Sequence, residues 1–171
     1  QLGSKRAELS VLFSDIRGFT SLSEKLDPEV VVNLLNQYLT VMTEIIFRHG
    51  GTVDKFEGDG ILVFFGAPQF HENHPEQAVR TAIEMRDRLD ELQGLWQERS
   101  DEPLRIGVAI HTGEVMVGNI GSSRRMDYTV IGDTVNLAAR LQDLTKEYGA
   151  SVLISGATRE RVKHMSRLRS L

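Results

Sequence analysis

The sequence predicts an α+β domain with a largely antiparallel sheet, and three observations predict it. Short apolar runs bounded by Gly and Asp alternate with long stretches of helical period. Two pairs of those runs lie close enough in sequence to be hairpins. The resulting order, β-α-β-β-α-β-β-β-α-β-α, places hairpins inside a βαββαβ plan. That points to a ferredoxin-like kernel with extra C-terminal strands and helices, the helices being expected on one face of the sheet.

Each element follows from local chemistry. Glu8–Ser14 is a short buried strand ending at Asp15, followed by a tight glycine-containing connection, Ile16-Arg17-Gly18-Phe19-Thr20. Asp27-Pro28 is a helix start, and apolar residues at 30, 31, 34, 35, 38, 39, 42, 45 and 46 form a helical stripe up to His49, stopped by Gly50-Gly51. Thr52–Phe56 and Ile61–Phe65 flank Glu57-Gly58-Asp59-Gly60 as a hairpin. Residues 75–99 have helical spacing from Pro75 onwards. Leu104–Ile110 and Val115–Val117 are expected to form a second hairpin around His111-Thr112-Gly113-Glu114. Tyr128–Ile131 is a strand, Gly132-Asp133 opens a helix ending at Gly149, Val152–Ile154 is a strand, and 156–164 is a short helix.

The 171 residues are read as one domain, residues 1–171, long enough to bury about 70% of the unfolded surface. Apolar residues at 40% and charged residues at 26% are a soluble, globular balance. A net charge of −4 offers nothing against phosphate repulsion, so no nucleic acid is expected as a partner. The absence of Cys excludes disulfides, thiolate nucleophiles, zinc ribbons and iron–sulfur ligation. The longest apolar run, Ile61–Ala67, falls short of the ~20 residues that span a bilayer, so no membrane contact is expected. Gln1–Ser10 is too polar for a signal peptide, and without an initiating Met the chain reads as a piece of a longer, multidomain protein.

Asp15 and Asp59 carry the most chemistry. Each lies at the end of a strand or in a hairpin tip, and if the strands are neighbours the carboxylates meet at one end of the sheet. Two hard anionic oxygens beside glycine-rich backbone suit Mg²⁺. Read singly, Asp15 caps a turn and Asp59 fills a hairpin position. The Ile16–Thr20 turn, with Arg17, Gly18, Phe19 and Thr20, is placed to turn backbone N–H groups toward a phosphate. No Gly-x4-Gly-Lys-Ser/Thr loop is present. Lys55 alone is a solvated strand residue. Asn136 and Arg140, four apart on a helix, share a face; an Arg there either stabilises charge on a transferring phosphoryl group or is simply exposed. His71, Glu72 and His74 have a metal-like composition in a polar stretch, and His111 is read as structural. The last thirteen residues hold five Lys/Arg and one acid, a solvated terminal helix face.

Taken together, Val11–Thr20, Val53–Gly60, Ile110–Glu114 and Asp127–Arg140 resemble the class III nucleotidyl cyclase catalytic domain, in the family's order and over most of the chain. The resemblance is to its Thr-bearing bacterial adenylate cyclase branch. It implies that Asp15, Asp59 and the Ile16 carbonyl bind two Mg²⁺ or Mn²⁺ ions per active site. It implies that Lys55 and Thr129 read the purine, that Asn136 orients the ribose and that Arg140 stabilises the transition state. In the family one subunit gives the aspartates and the other the purine pair, Asn and Arg; all six are in this chain, which implies a homodimer with two shared sites.

Adenine has an amino donor at position 6 and an acceptor at N1, which Thr and Lys complement; guanine reverses both. Lys55 with Thr129 therefore favours ATP over GTP, and the implied reaction is ATP to 3′,5′-cyclic AMP and pyrophosphate. One metal would acidify the ribose 3′-OH and hold the α-phosphate, and the other would bind the β- and γ-phosphates. Bicarbonate, which stimulates members of the Thr-bearing branch, is an implied effector, and the cytoplasm, where ATP is, the implied location. Family members usually have a late Lys on a strand beyond Leu171, so the last C-terminal strand is expected to be missing here. The alternatives are a guanylate cyclase, disfavoured by Lys55, and a catalytically weak domain that binds nucleotide or only dimerises. A diguanylate cyclase shares the kernel, but the tip here reads Glu57-Gly58-Asp59-Gly60 and not Gly-Gly-Asp-Glu-Phe.

Overall fold

The computed structural model describes residues 3–165, so the end of the basic C-terminal run lies outside the described residues. The elements are β1 (Ser4–Ile16), α1 (Phe19–Lys25), α2 (Pro28–Arg48), β2 (Thr52–Glu57), β3 (Gly60–Phe65), α3 (His74–Asp87), α4 (Asp90–Gln97), β4 (Ile106–Gly121), β5 (Met126–Ile131), α5 (Asp133–Tyr148), β6 (Val152–Ile154) and α6 (Gly156–Arg161). One six-stranded sheet runs β2-β3-β1-β4-β5, with β6 alongside β4. Among these pairings only β4–β6 is parallel.

β1 lies between β3 and β4. Residues 10–14 pair with β3, and all of Ser4–Ile16 pairs with Ile106–Gly118 of β4. Side chains alternate across a strand. Leu12 and Ile16 therefore join one core with Leu34, Tyr38 and Met42 of α2 and Met85 of α3. Leu9 and Val11 join a second with Leu62, Phe64, Val130 and Ala138 of α5. Both faces are covered, so helices on one face only is corrected: α2, α3 and α4 lie on one side and α5 on the other.

The expected hairpin around His111–Glu114 is also corrected: β4 runs unbroken from Ile106 to Gly121. Gly113 is not a turn residue. A Cβ there would meet Thr134 Oγ1 of α5 at 2.6 Å, and one at Gly107 would meet Thr145 Oγ1 at 2.4 Å. The two glycines let α5 lie against β4. The 75–99 helix breaks after Asp87, where Leu89 N–H donates to Arg86 and Leu92 N–H to Leu89. That redirection buries Leu89, Leu92 and Trp96. Phe19 packs on Trp96 with ring centroids 6.4 Å apart, which accounts for the short helix α1 where a bare connection was expected.

β5 does not extend the sheet flatly. Tyr128 packs on Phe64 of β3, and Val130 joins the α5-side core, so the β4–β5 arm rolls over that face. Among the described residues α2 alone has the length and apolar composition of a membrane span. Its buried Leu34, Tyr38, Met42, Ile45 and Ile46 are nonetheless the helical stripe, packed as core.

His74 is wholly buried, which fits a core histidine and not a metal ligand. Its Nδ1 lies 2.8 Å from Ser10 Oγ, and Nε2 faces Glu8 at 3.3 Å. Ser10 continues to Thr112, Thr112 to Thr158, and Thr158 to Ser155, which lies 2.7 Å from His111 Nδ1. Burial pushes both histidines below their ordinary 6.5, against the pull of Glu8 on His74 and of Asp133 on His111. Between the folded and unfolded pKa values the unfolded chain binds more protons. This contribution is therefore present above pH 6.5 and lost as pH falls below it. Thermal melting should accordingly show stability falling as pH drops from about 7.5 to about 6, the side of neutrality on which His charges. His74→Asn should melt lower at neutral pH but lose less on acidification; an unchanged pH slope would contradict this.

Candidate functional site

The edge of the sheet at the C-terminal end of β1 gathers the first group. Ser14 pairs with Ile61, which brings the β2–β3 turn beside the end of β1. Asp59 Oδ2 accepts the Ile16 backbone N–H at 2.8 Å, so Asp59 is half-buried and tied down in the hairpin tip. Burial raises the Asp15 carboxyl above its usual range, as does the Asp59 charge, while Gln142, Lys146 and Arg17 act in the opposite direction. Asp15 Oδ1 is buried and has no hydrogen-bond partner. Tyr38 reaches the same place from α2: its phenol is pushed up by burial first, and also by Asp59 and Asp15.

An orphaned carboxylate oxygen beside a second carboxylate is a costly arrangement for a protein alone. It suits a hard divalent cation, which takes few protein carboxylates and fills its shell with carbonyl, water and phosphate oxygens. Asp15, Asp59 and the Ile16 carbonyl fit that donor set. Among the described residues no group of three or more His, Asp or Glu gathers to hold a metal by itself.

The adjoining turn differs from expectation at Arg17. Its backbone N–H donates to Arg105 O at 2.8 Å and its Nη2 to Ala150 O at 2.9 Å. Arg17 is therefore committed to the fold, packed under Gly107. Gly18 holds a left-handed φ of 67° at the start of α1, Phe19 is buried and Thr20 is exposed. The part of the turn left uncommitted to the fold is Gly18 and Thr20, both exposed.

The second group joins opposite ends of the strand order. Thr129 of β5 donates to Asp54 Oδ2 of β2 at 2.5 Å, and Lys55 Nζ lies 3.8 Å from Asp54 Oδ1. The structure thus brings Lys55 and Thr129 together on either side of one carboxylate. Asp54 went unnoticed in the sequence. The available signal was an acid inside a strand pattern, but the bulge that turns it inward leaves no readable mark.

The third group is on α5. Asn136 and Arg140 are exposed on one face; Arg140 is 68% exposed and has Asp133 3.7 Å away. Leu137 and Leu144 are exposed apolar residues of the same helix, and Met116 and Ile131, paired across β4 and β5, are exposed too.

Residues 4–169 match the family described as the adenylate and guanylate cyclase catalytic domain. Adenylate cyclase 1 of Rhizobium meliloti (strain 1021) is 38% identical over 166 residues, covering 97% of this chain and 25% of that protein. This chain thus spans about a quarter of that curated relative's length. The crystal structure of the guanylyl cyclase Cya2 superposes with a TM-score of 0.87 at 42% identity, covering 98% of this chain and 83% of the other. That of the adenylyl cyclase CyaB from P. aeruginosa has a TM-score of 0.87 at 43% identity, covering 96% and 84%.

Because burial and Asp59 oppose its ionisation, Asp15 lowers stability at neutral pH when no cation is present. Asp15→Asn should therefore melt higher than the wild-type chain in chelator. Millimolar Mn²⁺ should raise the melting temperature of the wild type and leave Asp15→Asn unmoved. A variant that melts lower, or that still responds to Mn²⁺, would contradict the assignment.

Proposed function

The chain belongs to the adenylate and guanylate cyclase catalytic domain family, and on that premise we propose that it converts ATP to 3′,5′-cyclic AMP and pyrophosphate at sites completed by a second copy of the same chain. The observation that carries the purine choice is the pairing of Lys55 and Thr129 around Asp54. Lysine donates to adenine N1, and the threonine oxygen accepts from the 6-amino group. Guanine, with a protonated N1 and a carbonyl at position 6, meets the wrong partner at both points.

In the reaction the ribose 3′-oxygen bonds to the α-phosphorus, the bond from that phosphorus to the β-bridging oxygen breaks, and pyrophosphate leaves with those electrons. The 3′-hydroxyl proton passes to solvent. Asp15, Asp59 and the Ile16 carbonyl would hold the divalent metal, which would supply Lewis acidity toward the 3′-oxygen and the phosphate charge. Asn136 orients the ribose by hydrogen bonding. Arg140 offers a guanidinium to the equatorial oxygens as charge builds there. Gly18, Phe19 and Thr20 border the phosphates.

Shared sites agree with the exposure of the third group. Asn136 and Arg140 face solvent, and the apolar residues Leu137 and Leu144 beside them would be covered in a dimer. The catalytic domain is read as an output module of a longer cytoplasm-facing protein, residues 1–171 forming one domain. Bicarbonate is a candidate effector through the Thr-bearing branch alone.

Arg140→Ala should lower turnover by on the order of 10²-fold or more, the scale of losing one preorganised transition-state donor. Mixing Asp15→Ala with Arg140→Ala chains should restore one competent site per heterodimer. No recovery in heterodimers confirmed by native mass would overturn the shared site, and a preference for GTP in direct competition would overturn the purine reading.

A further inference from the structure

Neighbouring residues of a regular strand point to opposite faces, so Asp54 and Lys55 should diverge. β2 breaks that rule. Val53 pairs with Val63 and Lys55 with Leu62, which leaves Asp54 as the extra residue of a bulge. A bulge re-aims side chains. Asp54 turns inward until its side chain is 1% exposed, while Lys55, 49% exposed, stays at the surface with its Nζ 3.8 Å away. The rolled β4–β5 arm then delivers Thr129 to the other carboxylate oxygen.

A threonine hydroxyl has one proton to donate and lone pairs that accept; a carboxylate only accepts. The bond to Asp54 therefore takes Thr129's single proton. A free hydroxyl rotates and serves a donor or an acceptor on a ligand equally well. Thr129 held by Asp54 presents only lone pairs outward, so it welcomes an amino group and repels a carbonyl.

We propose that Asp54 is a positioning residue for purine selection: it locks Thr129 as a hydrogen-bond acceptor and holds Lys55 beside it, so that the pair selects a 6-amino purine over a 6-oxo one. This rests on the adenylate cyclase reading of Lys55 and Thr129. Asp54 acts through those two side chains and not on the nucleotide itself.

The test uses the full chain with Mn²⁺ and a fluorescent ribose-labelled ATP, displaced by ATP or by GTP. Asp54→Asn keeps the shape of the side chain but lets the amide donate, which frees the hydroxyl to turn. The ATP:GTP affinity ratio should fall about tenfold, the scale of one hydrogen bond. Thr129→Val should lower the ratio as well, and Asp54→Asn added to Thr129→Val should change it by less than about twofold, as coupled residues do. Equal weakening of ATP and GTP by Asp54→Asn, or an undiminished shift of the ratio in the Thr129→Val background, would overturn the role. A wild-type chain that binds both nucleotides equally would overturn the purine reading itself, and with it this inference, before any variant is made. A readout that needs no variant is the Thr129 hydroxyl proton in the nucleotide-free protein. Locked to Asp54, it should exchange slowly enough to be seen by NMR; exchange as fast as that of exposed threonines would overturn the lock.

Discussion

β1 is covered on both faces and still has to end in a carboxylate, and that constraint organises the molecule. Covering both faces places β1 between β3 and β4 and requires helices on both sides. The same burial follows the strand to its end, where Asp15 is desolvated with one oxygen unpartnered and a second carboxylate within its field. The Ile16 N–H holds Asp59 in place beside it. A buried carboxylate oxygen without a partner costs stability, and the proposed divalent cation would relieve that cost.

The second organising feature is curvature. In strand order β2 and β5 are at the two ends of the sheet path, yet Thr129 and Asp54 are hydrogen-bonded. The roll of the β4–β5 arm over the Leu9, Val11 and Phe64 face closes that distance, and apolar packing of Tyr128 and Val130 holds it closed. The Thr129–Asp54 pair is thus built on the same core that positions α5, whose outward face carries Asn136 and Arg140. On the proposed function, one face of the sheet would serve both the base and the transition state, and the end of β1 would serve the phosphates.

Much of this was legible in the residues. The stripe of α2, the Gly-Asp-Gly tip and the caps of α5 follow local rules, and they are where expected. What was not legible depends on partners distant in sequence. Gly113 looked like a turn because its real role, admitting Thr134, lies twenty-one residues away on another element. The break after Asp87 is dictated by where Leu92 and Trp96 must go, which period alone does not reveal. Arg17 read as a phosphate contact because nothing local announces that Ala150 and Arg105 claim it. Asp54 was hidden by a bulge, a change of direction that costs one residue of register and has no compositional mark. Asp15, Asp59, Asn136 and Arg140 stand out by position and spacing, while the pairing of Lys55 with Thr129 and the role of each residue were read through family resemblance; their exposure, burial and contacts came from the fold.

The most direct test of the central claim is cyclic AMP formation from ATP with Mn²⁺, measured per chain across a dilution series alongside sedimentation. If each site takes its carboxylates from one chain and its Asn and Arg from another, activity per chain should fall in step with the dimer fraction and vanish in chelator. Undiminished activity per chain in samples that sediment as monomer would contradict the account.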